Sequence, residues 1–353
     1  MGMLQRVKEG KFLEATLNMA LSEEQGAWKT ESGISCELLG RGILKISPAS
    51  ANSISDNASQ KDIVLSSGVH GDETSPIELL QQLVEKILSG EVQPVHRLLI
   101  IIGHPEAINL HRRFVDENMN RLFKAENPAT NSDCIRANTL QVAVKDFFQQ
   151  GEKDEQSRWH LDLHCAIRDS EHYTFAVSPF SRHQTRQRDL FAFLQHSEIE
   201  AALLSNSPSP TFSWYSAEYF GAQALTMELG KVAPFGQNDL LRLSSFYQAM
   251  VELVTQLVPN YQWQEDKLAV YKVTRTLMKQ SEHFTLNFPD DQANFTMYPQ
   301  GTLLGRDEDI EYYVLEEGEA VVFPNPNVAI GQRACLMVKK TDVSPEGQVQ
   351  ALT

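Results

Sequence analysis

From residue 61 onward, short apolar runs alternate with stretches that are apolar on one side only. "DIVLSSGV" (62–69) is short, β-branched and closed by Gly, the pattern of a buried strand. Beyond it Leu80, Leu83, Val84, Ile87 and Leu88 recur at helical spacing, and Gly90 can close that helix. Its start reads as a capping box, with Ser75 as N-cap, Pro76 at the first helical position and Glu78 completing Ser-x-x-Glu. "RLLIIIG" (97–103) is apolar almost throughout, as a strand covered on both faces requires. Further strands are predicted at 159–165, 173–178, 201–205 and 224–229, and helices at 139–150, 185–195 and about 239–257. This alternation predicts an α/β fold, a mixed, mostly parallel sheet flanked by helices.

After Pro259 the pattern changes to short strand-like pieces separated by Pro, Gly, Asn and Asp turns. That predicts two domains, an α/β domain over 1–260 and a small C-terminal all-β domain over 261–353. The first 60 residues are less regular: 36–48 reads as a short hairpin and 49–60 as a polar loop.

Composition narrows the partners. The 353 residues are 42% hydrophobic and 22% charged, ordinary for a globular protein. A formal net charge of −15 argues against nucleic acid or an anionic membrane surface as partner. No apolar run approaches the roughly 20 residues of a membrane helix, and the N-terminus lacks an apolar signal core. Cys36, Cys134, Cys165 and Cys335 are scattered without a Cys-x-x-Cys pair, which fits a reducing, cytoplasmic setting. An anionic small molecule remains admissible if a local group of Arg and Lys overrides the overall field; whether identical chains assemble stays open.

His70 and Glu73 form the only His-x-x-Glu in the chain, in the loop between a predicted buried strand and its helix. Ligand sites of α/β sheets gather at that edge. A catalytic zinc commonly takes His, His and a carboxylate and keeps a position for water, so a third ligand should come from another strand end. His164, at the end of "WHLDLHC", is the candidate, the alternative being an ordinary buried histidine. Asp162 shares its strand face and can accept a hydrogen bond from a ligand imidazole, whereas His160 reads as a core histidine. Glu228 ends the strand "ALTMEL"; it is either a general base or half of a salt bridge with Lys231.

"GVHGDE", "HRRFVDENMNRLF", "LDLHCAIR" and "TMELG", in that order over about residues 62–235, resemble the zinc carboxypeptidase-type amidohydrolases, in the branch of aspartoacylase and succinylglutamate desuccinylase. The resemblance implies a zinc carboxypeptidase-like fold with a trailing β domain. It implies one zinc ion per chain on His70, Glu73 and His164, and Glu228 as general base and later acid. Arg113 would polarise the scissile carbonyl, and Asn120 and Arg121 would hold a substrate carboxylate. Where the family often has an acidic residue to orient the first zinc histidine, this chain has Asn118, so Asn118, Asp116 or Asp162 would have to serve. The expected substrate is a small anionic N-acyl amino acid, N-succinylglutamate first. Another acyl amino acid such as N-acetylaspartate, a peptide, or a silent metal-bound binding protein are the alternatives. Arg168 and Lys231 lie within or beside the same motifs and are further substrate-binding candidates unless they are plain surface residues.

Overall fold

The apolar run at 97–102 lies where its composition demands, inside a thirteen-stranded sheet and covered on both faces. The computed structural model describes residues 1–49, 60–125, 127–151, 154–264, 266–344 and 346–352; most of the polar stretch 49–60 lies outside the described residues. Its helices are α1 (Met3–Lys8), α2 (Phe12–Leu17), α3 (Ser75–Leu88), α4 (Pro105–Asn109), α5 (Ser132–Gln149), α6 (Arg188–His196), α7 (Phe212–Phe220) and α8 (Ser244–Thr255). The first ten strands are β1 (Gly26–Lys29), β2 (Ser35–Gly40), β3 (Ile43–Ser47), β4 (Asp62–Ser67), β5 (Arg97–Ile102), β6 (Arg158–Ala166), β7 (Thr174–Ser178), β8 (Ala201–Leu204), β9 (Gln223–Lys231) and β10 (Ala269–Met278).

The sheet order is β1-β2-β3-β5-β4-β6-β9-β7-β8-β10, continued by strands 333–340, 319–322 and 296–297. At its centre β5, β4, β6 and β9 run parallel. Direction reverses at β7, which is antiparallel to β9, and β7, β8 and β10 are parallel to one another. The class is α/β with a mixed sheet flanked by helices and a C-terminal β domain, as expected. The hairpin read at 36–48 is β2–β3.

Side chains alternate across each strand, so each face has its own cover. Ile63, Leu65, Leu98, Ile100, Leu161 and Leu163 belong to one core with side chains of α3, α6 and α8. Val64, Leu99 and Ile101 belong to another, with Phe147 and Phe148 of α5 and Phe212 of α7. His160 turns to this second face, where its Nδ1 lies 2.7 Å from Ser216 Oγ of α7. Asp162 and His164 follow it at the two-residue period, so a row of fully buried polar groups runs along the α7 side of β6 toward its C-terminal end.

The capping box did not form. Helix α3 starts at Ser75 with Thr74 as N-cap and no side-chain cap. Ser75 Oγ lies 3.1 Å from Cys165 Sγ instead. The Glu78 carboxylate accepts from Gly236 N at 2.6 Å and from Asn238 Nδ2 at 2.8 Å, tying down the loop after β9. A distant loop with unpaired donors outcompeted the local pairing. Helices α1, α2, α4 and α7 carried no signal in the hydrophobic pattern; α7 is "FSWYSAEYF", rich in aromatics and placed by tertiary contacts. Among the described residues no helix is long and apolar enough to cross a membrane, and all four cysteines are buried and unpaired.

The C-terminal strands are not a detached sheet. β10 pairs in parallel with β8 from Ala201↔Ala269 to Leu204↔Lys272. Phe175, Ala201 and Leu203 share one core with Val273, Phe295, Val322 and Val338. Val349 joins the core that underlies α3 and α6, and its N–H donates to Arg186 O at 2.7 Å. Residues 1–260 made alone therefore expose the edge of β8 and half of an apolar core. The expected result is a lower unfolding temperature and self-association in gel filtration; a monodisperse fragment with the full-length unfolding temperature would contradict this.

Candidate metal centre

The loop from β4 to α3 carries His70 and Glu73, both fully buried. Its path depends on Gly71, where a Cβ would overlap the backbone of Ala107 and Ile108 in α4. Next to it runs the loop that follows α4 and carries Arg113, Asn118 and Asn120; Gly71 N–H donates to Arg113 O at 3.3 Å. That second loop is held from below by Asp133, in the first turn of α5. Asp133 Oδ2 accepts from the N–H groups of Asp116 at 2.7 Å and Glu117 at 3.1 Å. Its Oδ1 accepts from Val115 N–H at 3.3 Å and pairs with His104 Nε2 at 2.9 Å. β6 and β9 supply the remaining parts: His164 and Glu228 are register partners on these neighbouring strands.

The ligand-type atoms of His70, Glu73 and His164 all lie within 4.8 Å of one another. His164 Nε2 is 2.9 Å from Asp162 Oδ2, and a carboxylate only accepts, so this nitrogen carries the proton. His70 Nε2 is 2.9 Å from Asn118 Oδ1, an oxygen that also accepts from Asn120 N–H at 3.0 Å, which assigns the His70 proton to Nε2 as well. Both Nδ1 atoms then face Glu73, and with both imidazoles neutral, the form that binds a metal, both are lone pairs. They lie 3.2 Å from each other, 2.9 Å (His70) and 2.8 Å (His164) from the Glu73 oxygens. In that neutral form three acceptors face one another in a buried site and call for a positive charge between them, an ion or, without one, the proton that Asp162 and Glu73 favour on His164. Two imidazole nitrogens and a carboxylate are a donor set that suits zinc, so the residues present fit the expected ion. Asn118 and Asp162 are the partners that fix the two tautomers. Asp116 is exposed and takes no part beyond its backbone.

The charges respond accordingly. Burial alone would raise the Glu73 carboxyl, but His70, His164 and Arg113 hold it well below the carboxylate range. Arg113 Nη1 donates to Glu73 Oε1 at 2.6 Å, and Cys165 N–H donates to Oε2 at 3.1 Å. Burial would lower the His164 imidazole, yet Asp162 and Glu73 push it well above its ordinary value. His70 falls to about 4, first through burial and then through Arg113. Glu228 behaves differently. Burial and the neighbouring Glu73 charge raise it to about 7, and it has no hydrogen-bond or ion-pair partner among the described residues. Lys231 is no partner for it, being exposed and paired with Asp169 at 2.9 Å.

The family model "Succinylglutamate desuccinylase/Aspartoacylase catalytic domain" matches residues 59–254, and "AstE/AspA barrel-sandwich hybrid domain" matches 266–341. The chain belongs to this family. A curated relative from Vibrio vulnificus, named succinylglutamate desuccinylase, is 47% identical over 328 residues, 93% of each chain. Another of that name from Vibrio cholerae is 46% identical over 318 residues, 90% of each chain. The solved structure of a succinylglutamate desuccinylase from Vibrio parahaemolyticus superposes with a TM-score of 0.90 at 42% identity, covering 97% of this chain and 98% of that one.

In this member of the succinylglutamate desuccinylase/aspartoacylase family, the structure gathers His70, Glu73, His164, Glu228, Arg113 and Asn120 around one point. Asn120 is buried, its Oδ1 accepting from Phe212 N–H at 2.9 Å and its amide nitrogen lying 3.5 Å from His164 Nε2. Arg121 is partly buried beside it, donating to Asn120 O at 2.7 Å. Arg168 is partly buried on the loop after β6, and Lys231 is turned to the surface. Three contributors escaped the sequence reading. Ser66 donates to Asp162 Oδ1 at 2.6 Å and lies 2.8 Å from His160 Nε2, locking Asp162 in place. His104 and Asp133 form the support of the Arg113 loop, and only their meeting in space reveals it.

The support is testable. Asp133→Ala leaves three loop N–H groups without their acceptor, so stability should fall by about 1–3 kcal/mol. Displacing Arg113 and Asn118 should lower kcat/KM about 10- to 100-fold, with partial recovery in Asp133→Asn. Wild-type activity in a destabilised Asp133→Ala chain would show that the loop does not need this anchor.

Proposed function

We propose that the chain is a zinc-dependent deacylase that hydrolyses the amide bond of N-succinylglutamate to succinate and glutamate, with residues 1–260 carrying the site and 261–353 walling it. The observation that carries this reading is a buried carboxyl with no hydrogen-bond or ion-pair partner among the described residues, Glu228, next to the metal-ligand set of His70, Glu73 and His164. The names of the relatives supply the substrate.

His70, Glu73 and His164 would hold the ion, which when bound supplies a water acidic near neutral pH and an electron-withdrawing centre for a carbonyl. Everything else falls to the chain. Glu228 as carboxylate takes a proton from the attacking water. It then delivers that proton to the leaving amine nitrogen, which must not depart as an anion. Arg113, partly exposed at the rim, offers N–H donors to the oxygen that becomes negative as the amide carbon turns tetrahedral. Asn120 and Arg121 orient the substrate through one of its carboxylates. A guanidinium wall is what a trianionic substrate needs in a chain of net charge −15.

Purified enzyme loaded with zinc should hydrolyse N-succinylglutamate faster than N-acetylaspartate or a dipeptide; preference for either of the latter would reassign the substrate. Chelation should abolish turnover and stoichiometric zinc should restore it, whereas activity in metal-free enzyme would remove the ion from the reaction. Glu228→Gln should keep its metal and lose about 10²–10⁴ in kcat.

The pH dependence follows from sign. A base must start ionised, and burial with Glu73 nearby moves Glu228 up from the ordinary 4.5 toward about 7. kcat/KM should therefore rise with pH along an acidic limb between those values and be flat in that range for Glu228→Gln. An unchanged limb in the variant would assign it to another group.

A further inference from the structure

Behind the metal centre runs a row of polar side chains that no step of the proposed reaction uses. Ser66 of β4, His160 and Asp162 of β6 and Ser216 of α7 are all fully buried. Ser66 is the register partner of Asp162 on the adjacent strand, and His160 precedes Asp162 by one strand period. A buried imidazole is costly unless both nitrogens find partners, and those of His160 do: Nε2 lies 2.8 Å from Ser66 Oγ and Nδ1 2.7 Å from Ser216 Oγ.

The protons in this row can be placed one at a time. The Ser66 hydroxyl donates to Asp162 Oδ1 at 2.6 Å, which uses its only proton. Its contact with His160 Nε2 therefore requires the imidazole to donate, so the proton is on Nε2. Burial pulls the His160 imidazole down to about 4, which leaves it neutral with a single N–H. Nδ1 is then an acceptor, and the Ser216 hydroxyl donates to it. Were His160 the other tautomer, its bare Nε2 would compete with Asp162 for the Ser66 proton. As it stands, every proton from α7 to β6 points toward Asp162, whose other oxygen faces His164 Nε2–H at 2.9 Å. Hydrogen bonds aligned in one direction strengthen one another.

We propose that His160 is a positioning residue for the metal ligand His164. Its Nε2–H holds the Ser66 hydroxyl on Asp162, and Asp162 holds the His164 ring with Nδ1 toward Glu73. Ser216 selects the His160 tautomer, so α7, which supplies no ligand, takes part in how firmly the ion is held. The inference rests on the proposed metal site of His70, Glu73 and His164. Helix α7 also has a second route to the site: the His160 ring meets Phe212 edge-on with centroids 4.7 Å apart, and Phe212 N–H donates to Asn120 Oδ1 at 2.9 Å. Zinc affinity reports the first route and KM the second.

The test titrates the full-length chain, stripped of metal, with zinc in competition with a chromophoric chelator, and measures its metal-free unfolding temperature alongside. His160→Phe keeps an aromatic ring beside Phe212 but has no N–H for Ser66. It should bind zinc about 10-fold more weakly, with KM for N-succinylglutamate at saturating zinc unchanged. His160→Gln keeps an N–H donor and should recover part of the affinity. Ser66→Ala should show a similar loss, and adding His160→Phe to it should weaken binding no further, because the effect passes through the Ser66 hydroxyl. Wild-type zinc affinity in His160→Phe, even with a lowered unfolding temperature, overturns the inference and leaves the metal site standing. So do losses that add in the double variant, or a raised KM with unchanged zinc affinity, which puts the effect on the Asn120 side. A wild-type chain that binds no zinc overturns the metal site and this inference together. If His160→Phe does not fold, Ser216→Ala takes its place: it leaves the His160 tautomer unfixed, and should weaken zinc binding in the wild-type background but not in Ser66→Ala.

Discussion

Two imidazole Nδ1 atoms and one carboxylate face a common point, and none of them can turn away. Each histidine is pinned through its far nitrogen, His70 to Asn118 and His164 to Asp162. Asp162 is in turn pinned by Ser66, and Glu73 is gripped by Arg113 and the Cys165 N–H. The rotations that would relieve the mutual repulsion of these acceptors each break a buried hydrogen bond. A positive charge at that point, a metal ion or the proton that Asp162 and Glu73 favour on His164, removes the repulsion at once.

The fold provides that place by geometry alone. β4 and β6 are adjacent and parallel, so their C-terminal ends bring the His70–Glu73 loop and His164 to the same edge. β9 continues in parallel, and its register sets Glu228 opposite His164, with no hydrogen bond or ion pair to its carboxyl among the described residues. The same edge receives the loop after α4, anchored by Asp133, and the β-domain strands joined through β8 and β10. Negative groups line the centre and guanidiniums its approach. That division lets a chain of net charge −15 offer a small anion a positive entrance.

Much of this was readable beforehand, for physical reasons. His70, Glu73, His164 and Glu228 stand out because charged residues at the ends of apolar strands are costly unless paired or used, and the strand–loop–helix pattern places them at one edge. Asn118 was pointed out only by the family resemblance, as a neutral residue whose amide oxygen accepts as a carboxylate does. What stayed hidden depends on contacts between distant segments. Ser75 and Glu78 have perfect local spacing for a capping box, yet the loop 236–238 took Glu78. His104 and Asp133 are 29 residues apart and have no spacing rule to join them. The continuity of β8 with β10 is invisible as well, since hydrophobic patterning says that a strand is buried but not by which neighbour.

The proposed binding of one divalent ion through both Nδ1 atoms and Glu73 is open to direct measurement. Crystals of the zinc-loaded protein, measured on both sides of the zinc absorption edge, test it directly. The expected result is a single anomalous peak per chain within bonding distance of His70 Nδ1, His164 Nδ1 and the Glu73 carboxylate, with the two Nε2 atoms still on Asn118 and Asp162. A peak elsewhere, coordination through Nε2, or no peak in an enzyme that is active would contradict it.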